Sequence, residues 1–125
     1  MIVMVASRRR RPGSIAAAFP GLAVIDMTGL KRTVRRYGPV GGHRAGLHGA
    51  ELLDYETARR RIYLPAYRWM LENRAREVVD ELRRLAEGPG VVLLDYTTNG
   101  DIADLRTPLS HAALVRHFLL GQWPG

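Results

Sequence analysis

Two carboxylates and one lysine are the side chains of this sequence best suited to catalysis. Asp26 and Asp95 each fall at the end of an apolar, β-prone segment, which is the edge where ligands bind in a parallel sheet. Lys31 is the chain's single lysine and, unlike an arginine, a lysine can lose its proton and form an imine. We therefore predict Asp95, Asp26 and Lys31 as catalytic residues. Turn-forming carboxylates and a solvated surface lysine are the alternative interpretation.

Hydroxyl, amide and imidazole side chains follow the same segments and are suited to holding a ribose or a phosphate. Ser110 and His111 fall in the first turn of the last predicted helix, where free backbone N–H groups attract anions. The competing explanation is that such residues simply terminate strands and cap helices. The predicted ligand-binding residues are Ser7, Arg8, Thr28, Thr97, Thr98, Asn99, Asp101, Ser110 and His111.

The sequence carries no recognisable metal or cofactor motif. It has no cysteine, which excludes disulfides, thiolate metal sites and a thiol nucleophile. His43 and His48 have no carboxylate pair nearby, which is poor geometry for a metal. The glycine-rich stretch Tyr37–Gly49 matches neither of the common phosphate-binding fingerprints, and we predict it to be a loop. We therefore expect no metal and no cofactor.

Three apolar segments separated by helical patterns must bring the candidate residues together. This alternation is typical of an α/β fold with a small, mainly parallel three-stranded sheet and flanking helices. The predicted strands are Ile2–Ala6, Leu22–Met27 and Val91–Tyr96. Ligands bind such sheets beyond the carboxyl ends of the strands, so we expect Ser7, Asp26 and Asp95 to surround one hollow.

The helical patterns include one long helix and a C-terminal helix. Pro65 should kink or divide the long helix, because proline lacks an N–H group and clashes with the preceding turn. The predicted helices are Ile15–Phe19 with Ser14 as N-cap, Thr28–Arg36, Thr57–Glu87 with Asp54 as N-cap, and Leu109–Leu120 with Thr107 as N-cap.

Length and charge restrict the class of protein. A chain of 125 residues fits a single α/β domain spanning residues 1–125. The net charge of +7 favours anionic partners such as phosphates or nucleic acid, although a GC-rich genome would also produce an arginine-rich composition.

No apolar run approaches the roughly 20 residues that span a bilayer. Arg8–Arg11 follow the apolar run Ile2–Ala6, the wrong order for an export signal, so we predict a cytoplasmic protein without membrane contact.

Several segments together resemble an uncharacterised bacterial family that is itself distantly similar to the NADAR (YbiA-like) N-glycosidases. These segments are Gly29–Arg35, Tyr37–Arg44, Leu53–Tyr55, Ala58–Trp69, Val91–Asn99 and Pro108–Leu114. NADAR-like proteins cleave N-glycosidic bonds in nucleotide-derived metabolites, including riboflavin-pathway intermediates and ADP-ribosylated guanine. The resemblance implies a ribose-phosphate pocket with a general acid/base carboxylate, for which Asp95 and Asp26 are the candidates, while Lys31 would supply imine chemistry.

The chain departs from that family in one respect. In the family, several dozen residues lie between the second strand and the segment equivalent to Gly29–Arg35, whereas here Asp26 is followed almost directly by Gly29. The chain thus resembles a shortened form. We expect an N-glycosidase or a binder of a small anionic, nucleotide-like ligand. The alternatives are a basic nucleic-acid-binding module without catalysis, or an inactive relative that acts as an interaction domain and forms a homodimer through an exposed apolar edge.

Overall fold

A computed structural model of the chain describes residues 1–7, 12–39, 46–48, 51–95 and 110–123. The strands are β1 (Val3–Ser7), β2 (Ala23–Asp26), β3 (Gly46–His48), β4 (Glu51–Leu53) and β5 (Val91–Asp95). The helices are α1 (Pro12–Ala18), α2 (Thr28–Tyr37), α3 (Tyr55–Ala58), α4 (Leu64–Asn73), α5 (Arg76–Glu87) and α6 (His111–Leu119), with a π-helical turn (Arg59–Tyr63) between α3 and α4.

The three predicted strands form the parallel sheet that positions the site. Their order is β1-β5-β2, so the last strand in the sequence lies between the first two. The register pairs Ser7 with Asp95 on one side of β5 and Asp26 with Leu94 on the other. All three carboxyl ends therefore meet at one edge, which confirms the predicted small parallel sheet.

The two faces of the sheet are covered unequally. On one face, Val91 and Leu93 belong to the main core together with side chains from α2, α4, α5 and α6. On the other face, Val92 belongs to a small cluster with Ile15 of α1. A seven-residue helix covers only part of that face. The helices that can build a site therefore gather on the main-core side.

Asp54 caps the long helical segment as the sequence predicts, since its carboxylate accepts a hydrogen bond from Thr57 N at 2.7 Å. The helix itself begins at Tyr55, two residues before the predicted start at Thr57. The helix is distorted just before Pro65, where it forms the π-helical turn. In this turn, Leu64 N donates a hydrogen bond to Arg59 O. This wider turn suits a proline, which has no N–H group and clashes with the carbonyl four residues before it. The helix then ends at Asn73, and α5 starts at Arg76, a break that the sequence pattern did not reveal.

Two further expectations need correction. The stretch predicted as the loop Tyr37–Gly49 includes the last residue of α2 and the strand β3, which pairs antiparallel with β4. Strands of three residues are too short to show a readable alternation. Helix α1 starts at Pro12, so Ser14 lies inside it and is not its N-cap.

The start of the C-terminal helix also differs from the prediction. Ser110 is extended, and its Oγ accepts a hydrogen bond from Ala113 N at 3.0 Å, so it is the N-cap of α6. The prediction of a helix from Leu109, capped by Thr107, was therefore wrong. Ser and Thr are both strong N-cap residues, and the local sequence does not decide between them. Among the described helices, none is both long and apolar enough to cross a membrane.

Candidate active site at the carboxyl edge of the sheet

Lys31 and Asp95 form an ion pair at the end of the central strand. Lys31 Nζ lies 3.4 Å from Asp95 Oδ1, and the exposed fractions of the two side chains are 25% and 4%. Helix α2 starts two residues after β2, which is hydrogen-bonded to β5. The first turn of α2 is thereby held beside the end of β5, and the long side chain of Lys31 reaches the carboxylate from there.

The second carboxylate oxygen of Asp95 holds the start of α6. Ala112 N donates to Asp95 Oδ2 at 3.2 Å, and Ser110 Oγ accepts from Ala113 N in the same turn. The N-terminus of a helix carries partial positive charge, so it stabilises a carboxylate placed there. Asp95 therefore connects β5, α2 and α6, and this connection also brings His111 to the edge of the sheet.

Tyr67 of α4 contacts His111 from the other side. The Tyr67 hydroxyl lies 2.8 Å from His111 Nδ1, and the tautomer of the imidazole decides which of the two donates. The two rings are stacked with centroids 6.0 Å apart. Tyr67 is completely buried, and the ring of Trp123 stacks on it with centroids 6.1 Å apart. We call Lys31, Tyr67, Asp95 and His111 the Asp95 cluster.

Burial sets the protonation states of the two rings. It lowers the pKa of His111 below its usual value, with Asp95 opposing this effect and Lys31 adding to it. Burial likewise raises the pKa of the Tyr67 hydroxyl well above its usual value, and the nearby Tyr63 and Asp95 raise it further. At neutral pH the imidazole of His111 and the phenol of Tyr67 are therefore neutral, and both lie beside the Lys31–Asp95 ion pair.

This combination of groups is chemically versatile. The carboxylate can accept a proton or stabilise a cation, and the ammonium can donate a hydrogen bond to an anion or to a leaving group. An imine-forming lysine must instead react as the free amine, so the ion pair with Asp95 would have to open first. Among the described residues, no group of three or more His, Asp and Glu side chains is arranged to hold a metal ion.

The predicted residues separate into those that join this edge and those that do not. Lys31, Asp95 and His111 come together, and half-buried Ser7 pairs with Asp95 in the register. Asp26 does not join them, because it is paired with Leu94 and the pleat directs adjacent residues of β5 to opposite faces. We expected Ser7, Asp26 and Asp95 to surround one hollow, but the two carboxylates point to opposite faces of the sheet and cannot share it.

Asp26 instead supports the start of α2. Its exposed Oδ1 accepts a hydrogen bond from Thr28 N at 2.8 Å and another from the Thr28 hydroxyl. Both residues are exposed at the helix start. The other predicted ligand-binding residues lie outside the described part of the chain, namely Arg8, Thr97, Thr98, Asn99 and Asp101.

Two buried side chains on the long helix were not predicted to be functional. Tyr67 joins the cluster from a position 44 residues before His111, and no local motif links the two. Arg59 is completely buried in the π-helical turn, whereas the adjacent Arg60 and Arg61 are exposed. A run of three arginines is expected to be solvated, so only the position of the turn against the core distinguishes the first of them.

Comparison with known proteins identifies the chain at the level of its family. No curated protein and no solved structure matches it. One family model matches residues 7–115, a range that includes every member of the Asp95 cluster. The chain therefore belongs to the family of unknown function DUF6939.

Proposed function

We propose that the chain is an N-glycosidase that binds a small nucleotide-derived metabolite at the carboxyl edge of its sheet. The observation that carries this proposal is the Lys31–Asp95 ion pair, which lies beside a neutral His111 at the end of the central strand. Ligands bind open parallel sheets at this edge. The resemblance of the sequence to a family similar to the NADAR N-glycosidases supports the same reaction class.

The burial of the pair argues for a role beyond folding. Removing two charges from water costs free energy, and well-packed apolar residues often replace a buried ion pair without loss of stability. Ionisable groups in environments that shift their pKa values are concentrated at functional sites. Asp95 is 4% exposed, and the pKa of the adjacent His111 is lowered by burial. The cluster is thus a better candidate for chemistry than any carboxylate on the exposed helix faces.

The reaction uses the two charges of the pair in complementary ways. The bond between C1′ and the base nitrogen breaks, and its electron pair stays on the nitrogen. Asp95 stabilises the positive charge that develops on the sugar and takes a proton from the water that attacks C1′. Lys31 donates a proton to the departing base. A proton that passes from Asp95 to Lys31, across the 3.4 Å between them, restores the starting state.

The test measures binding and base release separately. Wild type and Asp95→Asn are titrated by calorimetry with ADP-ribose and with nucleoside monophosphates, and base release from the monophosphates is followed by chromatography. We expect Asp95→Asn to slow base release at least about 100-fold, because loss of a group that stabilises transition-state charge costs about 2.7–4 kcal/mol. Asp80→Asn is the matched control, because Asp80 is an exposed carboxylate on α5.

Two results decide against the proposal. One is the absence of base release by the wild type under all conditions tested, and the other is an equal loss of release in Asp80→Asn and Asp95→Asn. Circular dichroism of each variant shows whether a loss follows from unfolding. Retained metabolite binding without release would reduce the proposal to a binding protein.

A further inference from the structure

Within the described part of the chain, Arg32, Arg35 and Arg36 of α2 have no carboxylate partner, whereas four arginines of the later helices do. Four arginines on the long helical segment and α5 form ion pairs one helical turn away, namely Arg60 with Glu56, Arg68 with Glu72, Arg83 with Asp80 and Arg84 with Glu81. Helix α2 contains no Asp or Glu. Within the described part of the chain, no carboxylate lies at ion-pair distance from Arg32, Arg35 or Arg36. One side of the protein therefore carries a positive charge that nothing on the helix offsets.

Exposed aromatic rings lie at the end of this helix. The Arg74 guanidinium carbon is 4.8 Å from the centre of the Tyr37 ring and 5.7 Å from the centre of the Trp69 ring. The Arg36 guanidinium carbon is 5.4 Å from the centre of the same Tyr37 ring. Tyr37 is 38% exposed and Trp69 is 49% exposed, so both rings retain surface that another planar group can cover. We call Arg36, Tyr37, Trp69 and Arg74 the arginine–aromatic face.

A concave surface adjoins this face. A cavity of about 430 Å³ is lined by Arg74 and by residues from α2 and the start of α5. Its other lining residues include the polar Thr33 and Asn73, the basic Arg76 and the acidic Glu77. The basic residues Arg74 and Arg76 outnumber the single acidic residue of this wall. A nucleic-acid backbone that crosses the arginine–aromatic face can therefore continue along it.

We propose that the arginine–aromatic face binds single-stranded nucleic acid. Surfaces that bind single strands combine a basic track for the backbone with aromatic rings on which unpaired bases stack, and both are present here. A duplex keeps its bases stacked inside and cannot use the rings. An acidic peptide would match the charge but would leave Tyr37 and Trp69 without a planar partner. This binding is independent of the proposed N-glycosidase activity, because it uses none of the residues of the Asp95 cluster.

The experiment measures the binding of a fluorescein-labelled, single-stranded oligonucleotide of about 12 nucleotides by fluorescence anisotropy. It is repeated at several salt concentrations between about 50 and 200 mM. The test variants are the double substitution Arg36→Ala with Arg74→Ala, and the single substitution Trp69→Leu. The control is Arg60→Ala with Arg84→Ala, which removes the same net charge from exposed helix positions elsewhere. All of these side chains are exposed, so the variants should fold.

We expect the Arg36/Arg74 double variant to bind at least about tenfold more weakly. The slope of log affinity against log salt should also become shallower by about 1.4, because each phosphate contact with a single strand contributes about 0.7. Trp69→Leu should weaken binding about tenfold without changing that slope, since a stacked base releases no counterions. The Arg60/Arg84 control should stay within about twofold of the wild type.

Three results would overturn the proposal. The first is an equal loss of affinity in the Arg60/Arg84 control, which would mean that net charge alone drives binding. The second is tighter binding of a duplex of the same length than of the single strand. The third is equal binding of an acidic peptide together with an unchanged affinity in Trp69→Leu, which would assign the face to an acidic protein segment.

Discussion

Lys31 Nζ lies 3.4 Å from Asp95 Oδ1, and this contact joins the first turn of α2 to the carboxyl end of the central strand. The same carboxylate accepts a hydrogen bond from Ala112 N at the start of α6. A single side chain therefore holds two helices against the sheet edge. Any change at Asp95 should affect both the stability of the fold and the chemistry of the edge.

Breaking the ion pair from either side should destabilise the protein. We expect Asp95→Asn and Lys31→Met each to lower the free energy of unfolding by about 2–3 kcal/mol, because each leaves a mostly buried charge without its partner. The double variant should lose less than the sum of the two, with a coupling energy of about 1–2 kcal/mol. Urea denaturation followed by circular dichroism measures all three values.

The exposed pair Arg68–Glu72 is the control for this double-mutant cycle. Its atoms are closer, at 2.8 Å, but the two side chains are 49% and 46% exposed. Solvent screening should reduce its coupling energy to under about 0.5 kcal/mol. A coupling for Lys31 and Asp95 as small as that of Arg68 and Glu72 would show that burial does not strengthen the ion pair.

Stability should decrease as the pH falls through the range in which histidine titrates. Burial lowers the pKa of His111 in the folded protein, whereas the unfolded chain binds a proton near pH 6.5. Between these two values the unfolded state holds more protons, so protonation favours unfolding. The contribution of His111 to stability should be complete above about pH 6.5 and lost as the pH falls through the folded pKa. Urea midpoints at about pH 7.5 and pH 5.5 measure the change.

Acidic groups elsewhere also contribute to acid destabilisation, so the informative quantity is the difference between variants. His111→Gln should make the urea midpoint less dependent on pH than it is in the wild type. An identical pH dependence in His111→Gln and the wild type would contradict the assignment.

Two glycines should respond in opposite ways to replacement by alanine. Gly90 has φ +94°, and a Cβ there would lie 2.5 Å from Leu22 Cδ2 and 3.0 Å from Ile2 Cβ. Gly90→Ala should therefore lower the free energy of unfolding by at least about 2 kcal/mol. Gly29 lies in α2 with open space around it, so Gly29→Ala should raise that free energy by about 0.5 kcal/mol through helix propensity. Thermal denaturation of both variants checks the sign of each effect.

Asp26 should matter for the start of α2. Asp26→Ala removes the acceptor for Thr28 N and for the Thr28 hydroxyl, so it should lower the free energy of unfolding by about 1 kcal/mol. Asp26→Asn keeps a side-chain oxygen at the same place and should cost less. If urea denaturation shows the two variants to be equally destabilised, the charge of Asp26, and not its hydrogen bonds, would be the property that stabilises the helix.

The elements that were predicted correctly are those whose signals are local. The β5 run Val91–Asp95 is apolar at four consecutive positions, as expected of a strand covered on both faces. Asp54 precedes the long helix as its N-cap. Features without a readable local signal were not predicted. They include the β3–β4 pairing, whose strands have three residues each, the π-helical turn before Pro65 and the break before Arg76.

The candidate site divides in the same way. Residue type and position at a strand or helix end were enough to select Lys31, Asp95 and His111 from the chain alone. Their contacts depend on the insertion of β5 between β1 and β2, a long-range pairing that no local pattern encodes. That pairing also fixes the pleat, which directs Asp26 away from Asp95, and it brings α6 against α4 so that Tyr67 reaches His111. Local propensity thus selected the groups, and tertiary packing determined which of them meet.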